Sequence, residues 1–120
     1  DVCSSDLRLE ALRMALRGFA AEREWEPFHT SKNLAMALAG EAGEVIEHFQ
    51  WLTAEQSAAL DPARREEVAL ELADVLLYLV RLADVLEIDL GAAAVRKMAI
   101  NAARYPAERA RGRAEKYDRL

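Results

Sequence analysis

Two acidic pairs on separate segments, Glu41-x-x-Glu44 and Glu71-x-x-Asp74, carry the clearest chemistry in this chain. Residues three apart project from one face of a helix, about one turn from each other. Two helices that turn such pairs toward each other gather four carboxylates into one small volume, where like charges repel. Such a cluster is tolerated by binding hard cations, by protonating some members, or by leaving the pairs in water. The first route makes an oxygen-only metal site, suited to Mg²⁺ or Mn²⁺ rather than zinc. A di-iron bundle is built on Glu-x-x-His helices instead; His48 lies four after Glu44, and iron is not expected. Two ordinary solvated helix faces are the competing interpretation.

Other residues acquire meaning beside that cluster. Trp25 and Trp51 are core residues or, at the edge of a metal site, plates between which a flat ring stacks. Lys97, Asn101 and Arg104 share one face of a helix, either solvated or turned to a phosphate-bearing ligand, for which a guanidinium is well shaped. His29 reads as a loop or helix-entry residue, and Cys3 as incidental.

Helices must position these groups. In 120 residues, Ala, Leu, Glu and Arg dominate while Gly, Pro and β-branched residues are sparse, so the expected class is all-α in a single domain. The first helix is expected from about Leu7 to Arg23, followed by an elbow at Trp25–His29. Thr30 or Ser31 caps a second helix running to about Leu52. Thr53-x-x-Gln56 matches a capping box, and Asp61-Pro62 opens a third helix reaching about Glu87. Asp89 caps a fourth, which ends at Tyr105-Pro106.

In the second helix, Leu34, Leu38, Ala42, Val45, Phe49 and Leu52 form the core stripe, while helical spacing puts Trp51 on the face of Glu44. In the third, Glu67, Glu71, Asp74 and Tyr78 share a stripe hemmed by Val68, Leu72, Val75, Leu76, Leu79 and Leu82 on one side and by Leu70 and Leu77 on the other. A helix so apolar is buried or shared with a partner subunit, so at least a dimer is expected. The domain proper spans 7–106. Residues 1–6 are an edge outside the fold, and 107–120 form a basic tail.

A net charge of −5 argues against a binder of nucleic-acid polymers. No apolar run is long enough to span a bilayer, and a single cysteine fits a reducing compartment. A soluble cytoplasmic protein is expected.

Taken together, FAAEREWEPFH (19–29), KNLAMALAGEAGEVIEHFQW (32–51), EEVALELADVLLYLVRLA (66–83), KMAINAARYP (97–106) and RGRAEKYDRL (111–120) resemble the MazG-like all-α nucleotide pyrophosphohydrolases. EAGE followed by ELAD matches that family's metal motif. FQW, the Trp of EREW and the Asn and Arg-Tyr-Pro of the fourth helix are similar to its dCTP pyrophosphatase branch. The resemblance implies a four-helix bundle completed by dimer or tetramer packing. It implies Mg²⁺-dependent hydrolysis of a nucleoside triphosphate to the monophosphate and pyrophosphate, with dCTP or a modified dCTP preferred.

By the same resemblance, Glu41, Glu44, Glu71 and Asp74 hold the metal, Trp25 and Trp51 form the base pocket, and Asn101 and Tyr78 lie near sugar and base. Lys97, Arg104 and Tyr105 meet phosphate or close the pocket, and Lys116 with Tyr117 arrive from a neighbouring subunit. Leu16 departs from relatives that carry a polar ring there, which bears on the preference for cytosine. A broad-specificity hydrolase, a silent helical interaction module and a metal-storing bundle are the alternatives.

Overall fold

The computed structural model describes residues 8–119, the side chain of Tyr117 excepted. The expected edge at 1–6, Cys3 and Leu7 lie outside the described residues. The described chain is helical without strands: α1 (Leu9–Glu22), α2 (Ser31–Glu47), α3 (Ala54–Ser57), α4 (Pro62–Val85), α5 (Leu90–Arg104) and α6 (Ala107–Ala110), with 3₁₀ turns at Glu26–Phe28 and Tyr117–Arg119. The all-α class is met. The short α6 and the last 3₁₀ turn lie where only a basic tail was expected.

Helix starts follow local side-chain chemistry. Thr30, Thr53, Asp61 and Asp89 each accept from a backbone N–H three residues on, and Thr53 with Gln56 completes the capping box. Helix ends are less ordinary. Beyond α1, Trp25 N–H donates to Ala20 O at 2.9 Å and Glu24 N–H to Ala21 O at 3.1 Å. Beyond α4, Ile88 and Glu87 make the corresponding bonds to Ala83 and Asp84, at 2.8 and 3.0 Å. Both are Schellman turns, and both place a glutamate at positive φ, 53° for Glu24 and 56° for Glu87, where glycine is usual.

The second helix stops short of Leu52. After Glu47 the ladder tightens into i→i+3 bonds, His48 N–H to Val45 O at 3.2 Å and Phe49 N–H to Ile46 O at 2.9 Å. Arg64 of α4 donates to the freed His48 carbonyl at 3.1 Å. Trp51 therefore belongs to a turn rather than to the helical face of Glu44, and it is 86% exposed.

Two compact units divide the chain, up to Ile88 and from Asp89 onward. In the first, α4 packs along α2 and, less extensively, along α1. The pairs His48–Glu67 at one end, Glu41–Glu71 midway and His29–Arg81 at the other make α2 and α4 antiparallel. Leu12, Ala20, Leu34, Val68, Val80 and Ala83 are buried, with Leu34 at 2% exposure. Of the expected α2 stripe, Leu38, Val45, Phe49 and Leu52 are half-buried, but Ala42 is exposed because the packed stripe runs through Glu41 instead. The second unit consists of α5 and the segments after it, with Pro106 and Ala110 half-buried within a largely exposed stretch.

Candidate active site

Carboxylate oxygens of Glu41, Glu44 and Glu71 all lie within 4.8 Å of one another. The antiparallel packing brings this about, because each pair is fixed on its own helix and the α2–α4 contact sets them face to face. Glu41 and Glu71 are half-buried while Glu44 is exposed. Among the described residues, the buried Oε2 atoms of Glu41 and Glu71 meet no hydrogen-bond donor. Such groups are costly unless something outside the chain satisfies them.

Electrostatics agree with the geometry. Burial, and then the neighbouring Glu44 carboxyl, push the Glu41 carboxyl above its ordinary range, with Asp74 and Glu71 adding to the shift. For Glu71 the Glu44 carboxyl is the largest cause, burial the next, and His48 pulls slightly the other way. Asp74 is half-buried and faces two ways: its charge raises both glutamates, and its side chain also lines an adjoining cavity.

That cavity, of about 160 Å³, is walled by Leu16, Phe19, Trp25 and Leu77. Its polar lining is His29, Asp74, Tyr78 and Arg81. The Schellman turn after α1 aims Trp25 back onto Phe19, ring centroids 5.7 Å apart in edge contact. The 3₁₀ turn then sets His29 6.1 Å from the Trp25 ring. At well under the 300 Å³ or so of ordinary small-molecule sites, the cavity takes a single ring rather than a whole nucleotide.

Of the aromatic candidates, Trp25 and Tyr78 line this cavity and Trp51 does not. Lys97, Asn101 and Arg104 lie exposed along α5, Tyr105 caps it, and Lys116 is exposed before the last 3₁₀ turn, all in the second unit. The side chain of Tyr117 lies outside the described set.

An ionic network behind the cavity escaped sequence reasoning. Asp84, its side chain 5% exposed, accepts from Arg17 Nη2 at 2.6 Å, Arg13 Nη1 at 2.9 Å and Arg81 Nη1 at 3.2 Å. Arg17, then Arg13, hold its carboxyl below the usual range against the opposing effect of burial. The available signal was Arg81-x-x-Asp84 within the otherwise apolar run LVRLADVL, where two charges at helical spacing must find partners.

The profile of the MazG-like family matches residues 37–120. Human dCTP pyrophosphatase 1 is 47% identical over 119 residues, spanning 98% of this chain and 70% of that protein. The rat dCTP pyrophosphatase 1 is 44% identical over the same shares. The crystal structure of a pyrophosphatase from Archaeoglobus fulgidus superposes with a TM-score of 0.78 at 38% identity, covering 88% of this chain and 99% of that one. With the profile spanning both acidic pairs and the identities extending over nearly the whole length, this chain belongs to the MazG-like family.

Proposed function

We propose that this protein is a nucleoside triphosphate pyrophosphohydrolase. It converts a (d)NTP and water to the monophosphate and diphosphate, with dCTP or a modified dCTP preferred, in the cytoplasm. The observation that carries the reading is the carboxylate cluster of Glu41, Glu44 and Glu71, with Asp74 outside that group of three but lining an aromatic cavity sized for one ring and acting electrostatically on Glu41 and Glu71.

The donor set fits a hard divalent cation: oxygen ligands only, two of them buried and without a donor. Glu41, Glu44, Glu71 and Asp74 would hold Mg²⁺, with Mn²⁺ able to replace it. When bound, the cation neutralises charge between the carboxylates and the triphosphate and polarises the phosphoryl group.

The remaining work falls to the chain. Trp25 and Tyr78 hold the base, so that the α-phosphorus is presented at the acidic cluster. A carboxylate of the cluster orients water for attack on that phosphorus and accepts its proton, while the bond to the bridging oxygen breaks and diphosphate leaves. On the family resemblance, Lys97, Asn101, Arg104, Tyr105, Lys116 and Tyr117 are proposed to contact the nucleotide, the last two from a neighbouring subunit, and Trp51, which lies outside this cavity, is proposed as a further base contact.

Exposed Leu70, Leu72 and Leu76 on α4, with Met36 and Ile46 on α2, support a homo-oligomer, dimeric or tetrameric, because so much apolar surface is unusual on a monomer.

A panel of dNTPs and NTPs, assayed for monophosphate release with and without Mg²⁺, tests the function. Mg²⁺-dependent formation of dCMP and diphosphate is expected, fastest from dCTP. A broader hydrolase is the second reading. It is favoured by Leu16, an apolar residue of the cavity wall that cannot itself hydrogen-bond a base edge. Equal rates for all four dNTPs would select it, and no turnover would leave a helical interaction module.

Cation binding also has a pH signature. Because Glu41 and Glu71 titrate above their ordinary range in the fold, the metal-free native state gains stability as pH falls through that interval and loses it as pH rises. A cation replaces the bound protons. Mg²⁺ should therefore raise the melting temperature more at pH 7.5 than at pH 5, as measured by scanning fluorimetry, and equal shifts would place the ion elsewhere.

A further inference from the structure

The aromatic cavity contains a histidine whose hydrogen bonding is set from behind. Arg81 Nε donates to His29 Nδ1 at 3.1 Å. A guanidinium only donates, so Nδ1 must be the lone-pair nitrogen and the ring proton must sit on Nε2. Arg81 is anchored in turn, donating to Asp84 Oδ2 at 3.2 Å, and Asp84 is held by Arg13 and Arg17 from α1. Burial, then the positive charge of Arg81, keep the His29 imidazole below its ordinary pKa, hence neutral. The Arg81 bond occupies Nδ1, and the ring lines the cavity beside Trp25.

We propose that His29 reads the nucleobase as a neutral Nε2–H donor to a ring carbonyl oxygen, and that Arg81 is the positioning residue that fixes its tautomer. This rests on the nucleotide reading above. The rest of the lining makes such a donor informative: Arg81 is committed to His29 and Asp84, and Leu16, Phe19 and Leu77 offer only apolar contact, leaving His29 with Trp25 and Tyr78 to satisfy a carbonyl edge that would otherwise be desolvated without compensation. Pyrimidine rings carry a carbonyl beside the glycosidic nitrogen, and that edge is the one His29 suits.

Two independent readouts test it. In long-range ¹H–¹⁵N spectra of the whole protein, His29 should show the Nε2-protonated neutral tautomer near pH 7, and R81M should convert it to a tautomer mixture. Asp84 keeps Arg13 and Arg17 in that variant, so the fold is retained. In kinetics with dCTP, H29L should raise KM about tenfold with a smaller effect on kcat, the worth of one neutral hydrogen bond. H29Q, which restores an N–H donor, should recover most of that loss, and R81M should shift KM in the direction of H29L. An Nδ1-protonated or cationic ring in the wild type would overturn the proposal. So would an unchanged KM in H29L when the wild-type protein is active, or H29Q as impaired as H29L. Failure of the wild-type protein to turn over any triphosphate would instead remove the functional reading itself, leaving the tautomer measurement to stand or fall alone.

Discussion

Glu71→Gln should lower nucleotide turnover by roughly 10²–10³-fold, the scale on which a single electrostatic contact at a reacting centre acts, while the metal-free protein melts no lower than the wild type. The two halves of that result have one cause. Glu71 lies within 4.8 Å of Glu41 and Glu44, with a buried oxygen that no donor satisfies and a carboxyl pushed upward first by Glu44. Removing its charge would take a ligand from the proposed cation and, in the cation's absence, relieve repulsion. The amide of glutamine even supplies the missing donor to its neighbours. Steady-state kinetics paired with circular-dichroism melts check both halves. A variant that loses activity because it loses its helices would make Glu71 a structural residue, and one that keeps full turnover would move the chemistry away from the cluster.

Asp84→Asn should destabilise the fold by about 3 kcal/mol, within the range for breaking a buried ion pair from one side. The substitution keeps the volume of the side chain, so no cavity confuses the result. It leaves the buried Arg81 guanidinium with His29 and no opposing charge, and it detaches Arg13 and Arg17 of α1 from α4. Because the Asp84 carboxyl titrates below its ordinary value of 3.8, its contribution is complete above that pH and disappears as pH falls through the lower folded-state value. Denaturant unfolding at pH 7 should therefore show the whole difference, and that difference should shrink as pH is lowered below 3.8. Equal stability at neutral pH would mean that the network is solvated.

What could be read in advance was what depends on neighbours in sequence. Thr30, Thr53, Asp61 and Asp89 were legible as caps because each bonds a backbone group three residues away. The acidic pairs were legible because helix periodicity alone aligns their members. The end of α2 was not, since Arg64, from another helix, takes the His48 carbonyl and lets the chain turn before Trp51. Nor were the ends of α1 and α4 marked by glycine: Glu24 and Glu87 occupy the left-handed positions instead. The Arg13–Asp84 and Arg17–Asp84 contacts join residues 71 and 67 apart, and no periodicity encodes that register. Periodicity identified Leu70, Leu72 and Leu76 as apolar, yet it cannot say whether a core or a second subunit covers them.

Because Glu41 and Glu44 share one helix and Glu71 and Asp74 another, spacing within each pair is rigid, while the gap between pairs is adjustable. The side chains wedged between α2 and α4 calibrate it, together with the polar bridges Arg64–His48 and His48–Glu67, so the width of this jaw is set away from its ligand oxygens. Enlarging or trimming that wedge would retune which ionic radius the jaw grips without touching a single oxygen. In the proposed metal site, the preference for one ionic radius over another would rest on residues that never approach the ion.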